Sequence, residues 1–325
     1  MTRIAITSRS FSRHPVLRGE LKARYPDAEI TFNDDGRSLT GKGLIDYLRG
    51  HDKAITGLEV LDGAVFEAVP ELVIVSKYGV GFDMLDLDAM RARGIRLGWT
   101  GGVNKRAVSE LVISAAVALL RHVPAASREI LGGIWRQHIG RHLSGLAVGI
   151  IGCGHVGKDL APLLRAFGCR VIAHDIRNFP AFYAEHRIEA MSLEPLLKAA
   201  DIVTLHLPKD PSTENILSAQ RLALMKPGAL LINMARGGLV DELALKAALK
   251  EGRLAGAALD VFAGEPDADH DLIALPNVLA TPHIGGSAEE AILAMGRAAI
   301  IGLDNNRVPI LGQHPEGYGG YPSCD

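Results

Sequence analysis

A glycine-rich turn between an apolar run and a helical segment constrains this chain more than any other feature. Residues 146–151 are apolar, as in a buried strand, and residues 158–167 have the apolar spacing of a helix. Between them lie Gly152, Gly154 and Gly157 in the pattern GxGxxG. The first glycine permits a tight turn, the second lets a pyrophosphate approach the backbone, and the third lets helix and strand pack closely. Because the helix begins with free N–H groups, the pattern predicts a dinucleotide phosphate site.

An acidic residue stands at the end of the next predicted strand. Asp175 follows the strand 170–174 and lies 18 residues after Gly157. A carboxylate there can accept hydrogen bonds from the adenosine ribose hydroxyls and would repel a 2′-phosphate, so it favours NAD over NADP. Arg177 could instead pair with a 2′-phosphate, which leaves the strictness of that preference open.

Strands and helices alternate along the chain in two series. The first series has predicted strands at 3–7, 29–32, 53–56, 72–77 and 95–97, with helices at 15–24, 43–49 and 86–93. A long helix at 105–122 and a glycine-containing loop at 132–145 lead to the second series, with strands at 146–151, 170–174, 202–206, 229–233, 257–261 and 278–280. A final amphipathic helix is predicted at 287–302. This alternation predicts an α/β protein with two doubly wound parallel sheets.

Composition excludes several classes of protein. Thirty-five Lys and Arg against 37 Asp and Glu leave a net charge of -2, so we expect no nucleic-acid or membrane partner. The three cysteines, Cys153, Cys169 and Cys324, are an odd number without metal-type spacing, so neither a disulfide framework nor a metal site is expected. The chain shows no apolar run of about 20 residues and no signal-peptide pattern, and we expect a cytoplasmic location.

Three residues at the ends of second-series strands could carry chemistry. Arg236 follows the strand 229–233, Glu265 follows 257–261, and His283 follows 278–280. Ligands bind at the carboxyl ends of strands in open α/β sheets. An arginine can hold a carboxylate, a histidine can exchange a proton near neutral pH, and a glutamate can orient that histidine. Together these residues predict hydride transfer at a hydroxyl carbon beside a nicotinamide, because the protein must then handle the proton.

Over nearly its whole length the chain resembles the D-isomer-specific 2-hydroxyacid dehydrogenases. The resemblance rests on the motifs KYGVGFD at 77–83, AVSEL at 107–111, GCGHVG at 152–157, LHLP at 205–208, on Trp135, and on the segments around Arg236, Glu265 and His283. The similarity is greatest to phosphoglycerate-dehydrogenase-like members of the family.

The resemblance implies two domains with a cleft between them. It implies a flavodoxin-like substrate domain from residues 1–102 and 287–312, and a Rossmann NAD-binding domain from residues 103–286. Residues 313–325 are expected to form a flexible tail. The family also implies a homodimer formed through the inserted NAD-binding domain.

Roles for individual residues follow from the same resemblance. His283 is expected to be the acid/base, Glu265 its partner, and Arg236 the anchor for the substrate carboxylate and carbonyl. Asp260 is expected to face the nicotinamide amide. The remaining cofactor contacts are expected at Gly152, Gly154, His155, Val156, Gly157, Asp175, Met234, Ala235 and Gly286. The substrate contacts are expected at Lys77, Val80, Gly81 and Arg236, with the backbone of Val80 and Gly81 meeting the carboxylate.

The resemblance implies a small 2-hydroxy or 2-oxo acid as substrate, and the sequence leaves its identity open. Glu265 disfavours formate, because related formate dehydrogenases have glutamine there. Enzymes that act on 3-phosphoglycerate tend to carry arginine where this chain has Thr56 and Lys77. One phosphate-binding cation is thus missing and the other is a point charge, so 3-phosphoglycerate remains one of several candidates.

Two other functions compete with an NAD-dependent oxidoreductase. Corepressor-like proteins of this fold keep the cofactor site for regulation, with little catalytic activity. A glycine-loop methyltransferase would leave Arg236, Asp260 and His283 without a role. The complete set of Arg236, Glu265 and His283 favours the enzyme.

Overall fold

The computed structural model describes residues 1–310 of the 325-residue chain. These residues form two compact units. The first consists of residues 1–104 and 289–310, and the second is Lys105–Ala288. The predicted domain boundaries lie two residues before these. The predicted tail at 313–325, and residues 311–312 of the predicted substrate domain, lie outside the described residues.

The first unit is a parallel sheet covered by helices. Its elements before residue 104 are β1 Arg3–Ile6, α1 Arg9–Arg13, α2 Pro15–Arg24, β2 Glu29–Phe32, α3 Gly41–Leu48, β3 Lys53–Thr56, α4 Gly63–Ala68, β4 Ile74–Lys77, α5 Leu87–Ala92 and β5 Arg96–Gly98. The strands pair in the order β2-β1-β3-β4-β5, all parallel. This is the flavodoxin-like order, which places the switch point between β1 and β3. The predicted flavodoxin-like sheet is therefore confirmed.

The second unit is a larger parallel sheet. Its elements are α6 Lys105–Leu120, α7 Val123–Leu131, β6 Ala147–Ile151, α8 His155–Ala166, β7 Arg170–His174, α9 Pro180–His186, β8 Glu189–Ala190, α10 Leu193–Ala199, β9 Ile202–Leu205, α11 Ala219–Leu224, β10 Leu230–Asn233, α12 Glu242–Lys250, β11 Gly256–Leu259, α13 His270–Ile273 and β12 Val278–Ala280. The strands pair in the order β12-β11-β10-β9-β6-β7-β8. The order reverses between β6 and β9, as in a Rossmann fold, where the dinucleotide binds at that reversal.

Apolar strands account for the core of the second unit. All five residues of β6 and all four of β9, β10 and β11 are buried. Strands that are apolar throughout are typical of a parallel sheet with helices on both faces. One side is filled around Leu196, Leu231 and Leu245, and the other around Ile150, Leu160 and Ala258.

The last helix, α14 Glu289–Gly302, belongs to the first unit and packs on α2, β4 and β5. Small residues allow a close approach. A Cβ on Gly296 would overlap the side chain of Leu17, and a Cβ on Gly98 would overlap the backbone of Gly302. Ser76 in β4 donates its hydroxyl to the peptide oxygen of Ala299 at 2.7 Å. These contacts join the end of the described chain to its first hundred residues.

The long helix predicted at 105–122 is shorter than expected. It ends at Leu120, and the following residues 123–131 form α7, bent by 63° from α6. His122 between them has a φ of +56°, and Pro124 lies in the first turn of α7, where its missing N–H is tolerated. No ranges were predicted for helices α1, α4 and α7, nor for the five helices from α9 to α13. No residue of α7 is buried, so its sequence does not show the apolar spacing of a helix that packs one face on a core.

Within the described residues, no single helix combines the length and apolarity needed to cross a membrane. Helices α6 and α7 reach that length and apolarity only when they are counted together, and the chain bends by 63° between them.

Candidate active site

The glycine-rich turn joins β6 to α8. Gly152 has a φ of +97°, and a Cβ built on it would lie 2.3 Å from the peptide oxygen of His206. A Cβ on Gly157 would lie 2.3 Å from the peptide oxygen of Gly152. At Gly154, the N-cap residue of α8, a Cβ would meet no atom within 4 Å. The turn thus combines two positions that admit only glycine with an open approach to the amino terminus of a 12-residue helix.

Asp175 ties this turn to the end of β7. Its Oδ2 accepts a hydrogen bond from the backbone N–H of Cys153 at 2.7 Å, and its Oδ1 accepts one from the backbone N–H of Arg177 at 2.8 Å. Each carboxylate oxygen has a further lone pair, which a ribose hydroxyl can use. The guanidinium of Arg177 lies 5.1 Å from the centroid of the Phe179 ring, a cation–π contact. The open helix amino terminus and the carboxylate of Asp175 therefore lie side by side at the carboxyl ends of β6 and β7.

His206 bounds the glycine turn from the end of β9. Its Nε2 lies 3.0 Å from the hydroxyl oxygen of Thr204, and its peptide oxygen is the atom that excludes a side chain at Gly152. Desolvation lowers the pKa of His206 to about 3. The ring is therefore neutral at pH 7 and acts as a fixed wall of the turn.

The side chains of His283 and Glu265 are in contact. The Nδ1 atom of His283 lies 2.8 Å from Oε2 of Glu265, and the backbone N–H of Phe262 donates to Oε1 of the same carboxylate at 2.8 Å. His283 adopts a φ of +53°, which is unusual for a side chain with a Cβ. Both side chains are partly exposed. Because Nδ1 is engaged by the carboxylate, Nε2 is the ring nitrogen that can exchange a proton with a ligand.

Asp260 holds the segment that carries His283. Its Oδ1 accepts from the hydroxyl of Thr281 at 2.6 Å and from the N–H of Ile284 at 2.7 Å, and its Oδ2 accepts from the N–H of Gly285 at 2.7 Å. The peptide oxygen of Asp260 accepts the N–H of His283 at 2.9 Å. The buried carboxylate thus fixes residues 281–285, a role that the sequence did not predict.

Arg236 follows β10 in a turn framed by a buried amide. The side-chain oxygen of Asn233 accepts the N–H of Ala235 at 3.1 Å, and its Nδ2 donates to the peptide oxygen of Arg236 at 2.8 Å. The guanidinium Nη1 of Arg236 donates to the peptide oxygen of Ala235 at 2.6 Å. Asn233 therefore determines how the chain leaves β10 on its way to Arg236.

The other predicted cofactor contacts lie at the carboxyl ends of the same strands. His155 and Val156 form the first turn of α8, and Met234 and Ala235 follow β10. A Cβ on Gly285, next to Gly286, would lie 3.0 Å from Oδ2 of Asp260 and 4.0 Å from the peptide oxygen of Met234. The structure thus brings the loops after β10, β11 and β12 together.

The predicted substrate contacts in the first unit lie at the end of β4 and in the loop after it. Lys77 is only 3% exposed, and its ammonium donates to the peptide oxygen of Tyr78 at 2.9 Å. Val80 and Gly81 form the loop that comes next. Thr56 is paired with Lys77 across β3 and β4, and its buried hydroxyl has no hydrogen-bond partner among the described residues.

The region 113–285 matches the family model described as "D-isomer specific 2-hydroxyacid dehydrogenase, NAD binding domain". The chain is 33% identical over 294 residues to a glyoxylate reductase of Thermococcus onnurineus, covering 86% of this chain and 88% of that protein. The chain belongs to the D-isomer-specific 2-hydroxyacid dehydrogenase family.

Two further proteins are similar to this chain. A D-3-phosphoglycerate dehydrogenase of Mycobacterium leprae is 40% identical over 233 residues, which cover 71% of this chain and 44% of that protein. This chain therefore matches less than half the length of that relative. The solved structure of a Thermus thermophilus protein superposes with a TM-score of 0.80 at 34% identity, covering 94% of this chain and 95% of that one.

The glycine turn fits the cofactor of this family. The open approach at Gly154, the helix amino terminus and the acceptor oxygens of Asp175 suit the pyrophosphate and ribose of NAD. Among the described residues, no group of three or more His, Cys, Asp or Glu side chains is arranged to hold a metal ion.

One further residue near the pair escaped the sequence analysis. Glu242, in the first turn of α12, accepts the backbone N–H of Ala263 at 2.8 Å, two residues before Glu265. Burial raises the pKa of Glu242 above its ordinary value. An acidic residue at the start of a helix is common, so the sequence held no signal that this one supports the loop that carries Glu265.

Proposed function

We propose that the chain is an NAD-dependent oxidoreductase that interconverts a D-2-hydroxy acid and its 2-oxo acid. The observation that carries this proposal is the 2.8 Å pair between His283 Nδ1 and Glu265 Oε2 at the end of the Rossmann sheet. The family match supports the same reaction. NAD, when bound, accepts or returns the hydride of the hydroxyl carbon.

The protein then has to move the hydroxyl proton. In the oxidation direction, Nε2 of His283 takes the proton from the substrate hydroxyl while the carbon loses its hydride, and a carbonyl forms. The carboxylate of Glu265 stabilises the imidazolium that results, and the N–H of Phe262 keeps that carboxylate in place. In the reduction direction His283 returns the proton to the carbonyl oxygen.

A guanidinium and backbone N–H groups are proposed to orient the substrate. We assign to Arg236 the binding of the substrate carboxylate and carbonyl, since a guanidinium can donate two parallel hydrogen bonds. The N–H groups of Val80 and Gly81 are proposed to bind the same carboxylate. On this proposal the first unit recognises the substrate and the second binds NAD, with Asp175 on the ribose and Asp260 near the nicotinamide amide.

The acid/base assignment is tested by His283→Ala. Turnover is expected to fall by about 10²–10⁴-fold, while NADH still binds, because proton transfer is lost and the cofactor site is not. His270→Ala, an exposed histidine in α13, is the matched control and should keep full turnover. Undiminished turnover in His283→Ala would exclude this residue as the acid/base.

The substrate is best found with a panel of D-2-hydroxy acids and 2-oxo acids. The names of the relatives suggest 3-phosphoglycerate and glyoxylate as members, and D-lactate is a third. The buried Lys77 supplies one positive charge, and Thr56 supplies none where phosphoglycerate-type enzymes tend to have arginine. If Lys77 alone can hold a phosphate, 3-phosphoglycerate will be oxidised faster than D-lactate.

The same panel tests the alternative of an NAD-binding regulator. Such a protein would bind NADH and yet oxidise or reduce none of the acids. The Glu265–His283 pair favours the enzyme, because a regulator has no use for a proton-transfer group.

We also propose that the protein is a homodimer formed through the second unit. The segment 123–139 exposes a set of large apolar side chains, which in a monomer would face water: Val123, Ile130, Leu131, Ile134, Trp135 and Ile139. Leu131 and Trp135 are each 85% exposed. Sedimentation of Leu131→Asp should give a monomer at concentrations where the wild type sediments as a dimer, and a monomeric wild type would overturn the proposal.

A reducing, cytoplasmic location is proposed from the cysteines. Cys153 and Cys169 are both free thiols inside the second unit. Fractionation of cells that express the tagged chain tests the location.

A further inference from the structure

We propose that Trp99 is a positioning residue that aims the backbone N–H of Gly81 at the carboxylate of the substrate. This inference rests on the proposed function, because it takes the loop after β4 as the carboxylate-binding loop. Nothing in the family motifs singles out Trp99, which lies beyond β5 and far from Gly81 in sequence.

The indole of Trp99 is locked in the first unit. The residue is 3% exposed, and its Nε1–H donates a hydrogen bond to the peptide oxygen of Val80 at 2.8 Å. The ring also meets the Phe82 ring edge to face, with centroids 5.5 Å apart and planes at 90°. The indole therefore holds the loop at two points, one on each side of Gly81.

The peptide bond between Val80 and Gly81 transmits this constraint. The peptide is trans, since the cis bond among the described residues is Glu265–Pro266. In a planar trans peptide the C=O and the following N–H point in opposite directions. Because the Val80 oxygen points to the indole, the Gly81 N–H points to the opposite side, away from Trp99.

The loop has further backbone donors next to that of Gly81. In the part of the chain that the structure describes, the N–H groups of Gly79, Val80 and Gly81 have no hydrogen-bond acceptor. Gly79 has a φ of +115°, a backbone conformation that favours glycine. The ammonium of Lys77 lies beside Gly79, 3.2 Å from where its Cβ would be. Adjacent backbone donors and a buried cation are suited to a carboxylate.

A single substitution removes the donor and keeps an aromatic ring. In Trp99→Phe the Val80 oxygen loses its partner, so the peptide can rotate and the Gly81 N–H loses its aim. With the 2-oxo acid that the wild type reduces fastest, we expect KM to rise about 2- to 13-fold, the range that corresponds to one hydrogen bond. The inhibition constant of oxamate, a carboxylate that cannot be reduced, should rise by the same factor. The value of kcat should stay within about twofold, because lost uniform binding affects KM alone.

Phe82→Leu is the matched control. It removes the ring contact of the indole and leaves the hydrogen bond from Trp99 to Val80, so its KM should rise less than that of Trp99→Phe. Equal rises in KM in the two variants would assign Trp99 to packing and overturn the inference. An unchanged KM, or a fall in kcat alone, in Trp99→Phe would overturn it as well. If the wild type reduces no acid of the panel, the proposed function itself fails, which is a distinct result.

Discussion

Gly237 is the position where one added methyl group tests the candidate site most directly. A Cβ on Gly237 would lie 1.8 Å from the peptide oxygen of Phe262 and 2.8 Å from the backbone nitrogen of Ala263. Its backbone is outside the left-handed region, so alanine would meet a steric conflict and no conformational one. The atoms it would meet belong to the backbone and cannot turn aside as a flexible side chain would.

The size of the effect follows from the distances. Real Cβ atoms do not come closer than 3.0 Å, so the two segments would have to separate by roughly 1.2 Å. One segment carries Arg236 and the other carries Glu265. A misplacement of about 1 Å can cost about 10²-fold, and we expect Gly237→Ala to lower kcat/KM by at least that factor. The overpacking should lower the free energy of unfolding by about 1–3 kcal/mol.

Steady-state kinetics and urea unfolding of Gly237→Ala measure both effects. Gly19→Ala is the matched control, because Gly19 is exposed in α2 and a Cβ there meets no atom within 4 Å. The control should keep full activity and gain about 0.5–1 kcal/mol, the helix preference for alanine. A Gly237→Ala protein with kcat/KM within threefold of the wild type would refute the reasoning, since the loops would then tolerate the separation.

Two further substitutions have expected outcomes. The raised pKa of Glu242 means that the folded protein disfavours the ionised carboxylate. The protonated side chain therefore contributes to stability below its ordinary pKa of 4.5, and this contribution is lost as the pH rises through the raised pKa. Glu242→Gln keeps a side-chain oxygen that can accept the N–H of Ala263. The free energy of unfolding of this variant in urea, relative to that of the wild type, should therefore rise from pH 4 to pH 8, by less than about 1 kcal/mol because the side chain is partly exposed. The opposite trend would contradict a raised pKa of Glu242. Gly157→Ala should weaken NADH binding by at least about tenfold, equal to about 1.4 kcal/mol, because its Cβ would push α8 away from the peptide oxygen of Gly152. An unchanged dissociation constant for NADH, measured by calorimetry, would contradict this.

Short apolar and β-branched runs between helical segments predicted every strand except β8. Strands β2, β3, β7 and β12 have the predicted bounds. The predicted strand 72–77 begins later, at Ile74, because Leu72 still belongs to a turn in which its N–H donates to the peptide oxygen of Val69. The helix predicted at 105–122 ran too far, since continued apolar spacing concealed the bend at His122.

The residues of the candidate site divide in the same way. Gly152, Gly154 and Gly157 were found because a local pattern of glycine between strand and helix has a direct backbone meaning. Trp99 and Glu242 were not found, because each acts through a backbone atom distant in the sequence, on Val80 and on Ala263. A hydrogen bond to a backbone group does not depend on the side chain of the residue that contains this group, so the sequence gives no sign of the contact.

The sequence by itself determined the two parallel sheets and the glycine turn after β6, because periodicity and glycine geometry are local properties of the chain. Only the tertiary structure decided which partners the residues of the candidate site have. It placed Glu265 on His283, gave the carboxylate of Asp260 to the loop of residues 281–285, and packed α14 on β4 and β5. These contacts join segments that are far apart along the chain, and their geometry exists only once the sheets have brought the strand ends together.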